Sequence, residues 1–206
     1  KNQQYMAWSL ENQGELYYFK GDYDKSRSFL SRAAEVYVNN EKWQAYSIIM
    51  SRLSNLDQHT GDIPAALKKL REAQTYLPYA ETIDPLILIS NDLGVVFHAI
   101  GKFDSAYHYR KIVLDNVPLT DSVRRNKAHL NMATTLLSIY DYESATTYMD
   151  EALRLSDNPK YPLTRANTLC KKAKLEFTKG NMVLSEKSIV EGIKIYESSR
   201  NGERRL

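Results

Sequence analysis

The sequence predicts an all-α chain: a right-handed superhelical α-solenoid of about five antiparallel helix pairs. Three observations predict it. A turn position recurs every 39 or 40 residues, at Gly21, Gly61, Gly101, Tyr140 and Gly180, and a unit of this length that recurs five times buries its apolar face against its neighbours, as solenoids do. The columns beside that turn hold small residues: Gly14, Ser54, Gly94, Ala133 and Ala173 seven positions before it, and Ser26, Ala66, Ala106, Ala145 and Ser185 five after it. Gly, Ala and Ser make up 41 of the 206 residues, so ten small residues in ten places is a coincidence of roughly one in 10⁷ before any discount for choice of alignment. Finally, no segment shows strand alternation, a Gly-rich phosphate loop or a low-complexity tract.

The units span approximately residues 3–40, 41–80, 81–118, 121–157 and 160–199, as a single repeat domain. In the first, a helix over 3–19 turns at Gly21, and the Asp22 carboxylate stands where it can accept the open amides of a second helix beginning near Tyr23. The second repeats the plan, with a helix over 42–60, Gly61, Asp62 as cap and a helix from Ile63. Asp84-Pro85 starts the third, a cap followed by the one residue with no amide to satisfy; the helix over 85–100 then turns at Gly101 into another from Phe103. The fourth helix pair (122–139, then from Tyr142) turns at Tyr140 with Asp141 as cap, and the fifth (162–179, then from Met182) turns at Gly180. The stretches Pro78–Thr82 and Asn158–Pro162 read as connections between units.

Two further columns give the packing reason. Two residues past the turn stand Tyr23, Ile63, Phe103, Tyr142 and Met182, and twelve past it Ala33, Ala73, Val113, Ala152 and Gly192. Antiparallel helices reach their closest spacing only where the crossing positions carry little side chain, and a large apolar residue by the turn fills the wedge between them.

The order of these columns resembles the tetratricopeptide repeat. The likeness is clearest in Leu10-x-x-x-Gly14-x-x-Tyr17-x-x-x-Gly21-Asp22-Tyr23 and in Leu93-Gly94-x-x-Phe97-x-x-x-Gly101-Lys102-Phe103-x-x-Ala106, with a closing Pro at Pro78 and Pro118. The chain departs from the family in its longer period, in Tyr140 at the fourth turn, and in Lys172 and Glu176 where apolar residues are usual. The long-unit form resembles the sensory or scaffolding arrays of bacterial signalling regulators.

The resemblance implies a non-catalytic protein- or peptide-binding scaffold whose groove is lined by the first helix of each pair. Matched by position, the groove presents Asn12, Glu15 and Tyr18, then Arg52, Asn55 and His59, then Asn91, Asp92 and His98, then Lys127, Asn131 and Thr134, then Lys171 and Lys174. Amide side chains both donate and accept, so such a row can pair with the backbone of an extended peptide. The subclass that grips a chaperone's C-terminal carboxylate does not match: Glu11, Glu15, Leu88 and Asp92 occupy basic or amide slots and only Asn55 fits.

Composition adds bounds. Net charge is +3, too small an excess to demand nucleic acid or an anionic membrane. Cys170 stands alone and no apolar run approaches a membrane span of about 20 residues. The chain opens on Lys1-Asn2-Gln3-Gln4, neither an initiator Met nor a leader, and an excised segment of a longer protein is expected. The histidines His59, His98, His108 and His129 show no metal-ligand spacing and no catalytic motif is present, so no cofactor and no catalysis are expected. An RNA-binding helical repeat is the alternative from another class, on the basic clusters Lys68-Lys69-x-Arg71, Arg124-Arg125-x-Lys127, Lys171-Lys172-x-Lys174 and Arg204-Arg205; a small-ligand-sensing domain is a third. In the last helix Met182, Ile189, Ile193 and Tyr196 form one stripe while Leu184 and Ile195 lie near the opposite side. A solenoid end needs a polar outer face, so a partner subunit, as in a homodimer, or further repeats are expected to cover it.

Overall fold

A computed structural model of the chain describes residues 2–203, with the side chains of 3–199; the Arg204-Arg205 cluster lies outside the described residues. The described residues form ten α-helices: α1 (Asn2–Phe19), α2 (Tyr23–Asn39), α3 (Trp43–His59), α4 (Ile63–Thr75), α5 (Asp84–Ala99), α6 (Phe103–Asn116), α7 (Ser122–Ser138), α8 (Tyr142–Leu155), α9 (Pro162–Thr178) and α10 (Met182–Glu203). A single 3-10 turn, Leu77–Tyr79, follows α4. Each second helix begins at the residue the turn period predicts. No described helix is long and apolar enough to cross a membrane.

The recurring turn has one geometry. Gly21, Gly61, Gly101 and Gly180 take φ of 77°, 82°, 72° and 86°, and Tyr140 takes 63°. In this left-handed region the chain folds back on the helix it has just left: Gly21 N–H donates to Tyr18 O and Asp22 N–H to Tyr17 O, both at 3.0 Å, satisfying two of the carbonyls a helix end leaves open. Tyr140 and Asp141 make the same pair with Leu137 O and Leu136 O, at 3.2 and 3.0 Å. A Cβ on any of the four turn glycines would meet nothing within 4 Å, so glycine is present for its backbone freedom and not for room.

The caps follow. Asp22, Asp62 and Asp141 accept the amides of Lys25, Ala65 and Ser144 at 3.2, 3.0 and 3.1 Å, as expected. Asp121 does the same for Arg124 at 2.9 Å before α7, a cap the sequence reading did not include. Asp84 differs from expectation: Ile83 already has helical dihedrals (φ −76°, ψ −16°), so α5 begins at Asp84 itself with Pro85 in its first turn.

The chain divides into an N-terminal half, residues 1–102, and a C-terminal half, residues 103–206. In the N-terminal half α1 packs on α2, α2 on α3, α3 on α4, and α5 on both α3 and α4. Leu30, Ile49, Leu56, Leu70, Ile89, Leu93 and Val96 form its buried interior. In the C-terminal half α6 packs on α7, α7 on α8, α8 on α9 and α9 on α10, around Leu130, Met132, Leu136, Met149 and Leu175.

Every residue of the two small columns is buried, and two hydrogen bonds show that the columns meet. Ser26 Oγ donates to Gly14 O at 2.8 Å, and Ser185 Oγ to Ala173 O at 2.9 Å. A Cβ on Gly14 would come within 2.6 Å of Leu30 Cγ. The wedge column is half-buried at Tyr23, Ile63, Phe103 and Tyr142, but Met182 is exposed. Both unusual residues of the fifth unit are paired: buried Glu176 accepts from Asn181 Nδ2 at 2.7 Å, and Lys172 reaches Asp150 at 2.8 Å.

Candidate binding groove

Within the N-terminal half, successive first helices present equivalent positions, counted back from the turn, on one side. Glu15 and Asn55 both stand six residues before their turns, and Trp8, Ile48 and Leu88 thirteen before; steps of three and four keep these positions on one helical face. In the N-terminal half that face forms a cleft of about 250 Å³ lined by Glu15, Tyr18 and Phe19 of α1, Leu30 of α2, Ser51, Arg52 and Asn55 of α3, and Leu88 of α5.

Electrostatics organises the cleft. The Arg52 guanidinium is held between two carboxylates, Glu15 Oε1 on one amino group and Glu11 Oε1, at 3.3 Å, on the other. Glu11 is fixed in turn by Tyr37, whose hydroxyl donates to Glu11 Oε2 at 2.8 Å. Burial first, and then that bond, push the Tyr37 hydroxyl's pKa well above its ordinary value. Asp92 is buried and accepts from Ser51 Oγ and, at 3.1 Å, from Asn91 Nδ2. At the turn end, Tyr18 Oη lies 2.5 Å from His59 Nε2, and the His59 ring stacks on Tyr23 with centroids 5.5 Å apart. Burial, then Tyr23 and Asp92, raise the Tyr18 pKa, so the phenol keeps its proton.

Of the sequence-predicted residues, Glu15, Tyr18, Arg52 and Asn55 line the cleft together and His59 joins its rim through Tyr18. Asn12 is exposed on α1, and Asn91 and His98 are half-buried on α5. Lys127, Asn131 and Thr134 lie on α7 and Lys171 and Lys174 on α9, in the C-terminal half; Asn131 O accepts from the Arg110 guanidinium, while Lys127, Lys171 and Lys174 are exposed. Phe19, Leu30, Ser51 and Leu88 were missed as lining residues. The signal for Leu88 was present, since it shares its position before the turn with Trp8 and Ile48. Arg52, one of the predicted groove residues, is neutralised by Glu11 and Glu15.

The acids of the cleft are engaged with Arg52, Ser51 or Asn91, and among the described residues no three His, Cys, Asp or Glu side chains gather in a way that could hold a metal ion.

Residues 5–77 match the tetratricopeptide repeat family model. No curated protein matches the chain at a significant level. Among solved structures, BtubC (BKLC) from P. vanneervenii is 19% identical and superposes with a TM-score of 0.77, over 91% of this chain and 78% of that one. A putative kinesin light chain with nearly identical TPR-like repeats, from Podosopora anserina, gives 11% and 0.72 over 93% and 95%. A thermophilic TPR protein from Thermus thermophilus gives 14% and 0.68 over 97% and 96%. At these identities the likeness is one of fold. The first two helix pairs therefore match the tetratricopeptide repeat family, and the fold along nearly all of the chain is that of solved proteins built from such repeats.

Proposed function

We propose that the chain is a non-catalytic scaffold that binds an extended segment of another protein along the face of its first helices. The observation that carries this reading is the cleft between α1, α3 and α5, where apolar Phe19, Leu30 and Leu88 stand beside Arg52, Glu15 and Asn55. Such a mixture suits a peptide, because apolar side chains enter the cleft while its backbone amides and carbonyls find polar partners. The Arg52 charge is already matched by Glu11 and Glu15, which weighs against a ligand anchored by a terminal carboxylate. Lys127, Asn131, Lys171 and Lys174 stand on the first helices of the C-terminal half and are proposed as the binding positions there.

A sensory or interaction region of a bacterial signalling protein is the setting that the long-unit resemblance favours. The exposed stripe on α10 supports a second contact: Ile189 and Tyr196 occupy columns in which Leu30, Leu70, Met149 and Tyr37 are buried, so a partner subunit covers this helix. Replacing Arg52 and Asn55 together by Ala tests the groove. Peptide affinity measured by calorimetry is expected to fall by about tenfold, or 1.4 kcal/mol, with the thermal midpoint retained; unchanged affinity, or a preference for RNA that survives physiological salt, would overturn the assignment.

A further inference from the structure

Beyond the Arg52 cleft, the N-terminal ends of α1 and α3 carry two adjoining cavities of about 570 and 330 Å³ that share Gln4, Lys42 and Ala45. Their walls are aromatic and acidic. Tyr5 and Trp8 line the larger; Trp43, Tyr79 and Glu81 line the smaller. Tyr5, Trp8 and Tyr79 are 70%, 61% and 63% exposed, and large rings gathered in water around a cavity mark a place that something else covers.

The walls are held in place. The Trp43 indole stacks on Tyr76, with centroids 5.0 Å apart and planes 11° apart. Gln44 Oε1 accepts the amides of Glu81 and Thr82 at 2.7 and 3.2 Å, fixing the segment that brings Tyr79 and Glu81 to α3. The charges also point one way. Glu11 is shared with Arg52 and Tyr37, which leaves the exposed carboxylates of Glu41 and Glu81 facing one ammonium, Lys42.

We propose that these cavities form one subsite for an arginine side chain of a basic peptide. A planar guanidinium stacks on aromatic faces, as an ammonium does less well, and its fork of donors suits a carboxylate. Here the stem packs on Tyr5 and Trp8 while Glu41 and Glu81 take the N–H groups. The chain's net charge of +3 disfavours a basic ligand overall, so selection for one arises locally. The proposal rests on the first-helix face being a peptide groove, because Trp8, Ile48 and Leu88 share one column and make the subsite and the Arg52 cleft two parts of the same face.

The chain has two tryptophans, and both line this subsite, so intrinsic fluorescence reads it directly. The probes are short acetylated peptides of alternating Ala with Arg, Gln or Glu, titrated at about 0.15 M salt. A saturable change in tryptophan emission is expected with the arginine peptide alone. Affinity should fall by about tenfold in E41Q/E81Q and in W8A, and recover within about threefold in W8F. Equal response to the glutamine or glutamate peptide, or undiminished affinity in both W8A and E41Q/E81Q, would overturn the proposal. If emission is silent while a peptide binds in a manner sensitive to the Arg52/Asn55 double substitution, the subsite falls and the groove stands. If emission responds and that double substitution leaves every affinity unchanged, the Arg52 cleft drops out of the groove and the subsite stands.

Discussion

Tyr140 occupies a backbone conformation that four glycines occupy elsewhere in the chain, and the comparison isolates what the turn costs an L residue. Left-handed dihedrals disfavour a side chain by about 1–2 kcal/mol, while glycine gives back part of that through the entropy of the unfolded chain. Tyr140 is 75% exposed, with its ring edge against Tyr142 at 6.3 Å, so little packing opposes the change. Tyr140→Gly should therefore stabilise the protein by about 0.5–1 kcal/mol and Gly61→Ala destabilise it by about 1 kcal/mol in urea unfolding. His129 belongs to the same scale. It is buried, and burial, the largest cause, pushes its pKa below the ordinary 6.5, with Arg125 and Arg154 acting in the same direction and Glu151 against it. A depressed folded pKa means the unfolded chain binds the extra proton first, so stability is full above about 6.5 and declines as pH falls below it. The thermal midpoint should drop between pH 7 and 5.5, and the drop should shrink in H129Q.

At the scale of elements, small residues stand where α1 meets α2, α7 meets α8 and α9 meets α10. Ala145 is fully buried in α8 beside Ala133 of α7, so Ala145→Leu should cost about 1–3 kcal/mol by overpacking, against a helix propensity change close to zero. Retained stability in urea would show that the column is not a contact. The turns and caps were legible in the sequence because they are local: a left-handed residue, an aspartate and the amide three positions on lie within one segment. Asp84 slipped by one residue because Ile83, with no capping side chain, still took helical dihedrals. The lining of the cleft was half legible. Column position located Glu15, Tyr18, Arg52 and Asn55, since it is set by helical period. Their pairing was not legible, because Arg52 reaches Glu11 and Glu15 on a different helix, and the reach of a long side chain depends on how helices cross.

For the whole molecule, the exposed face of α10 and the groove are the two contacts proposed with other chains. If a partner subunit covers α10, sedimentation should show concentration-dependent association that Ile189→Lys with Ile193→Lys abolishes; a monomer at all concentrations would remove that contact. The groove is the more central claim, and chemical-shift mapping of a bound peptide tests it most directly. Perturbations gathered at Glu15, Tyr18, Arg52, Asn55 and Leu88, on the first helices, are the predicted result. Perturbations confined to the second helices, α2 and α4, would contradict the account.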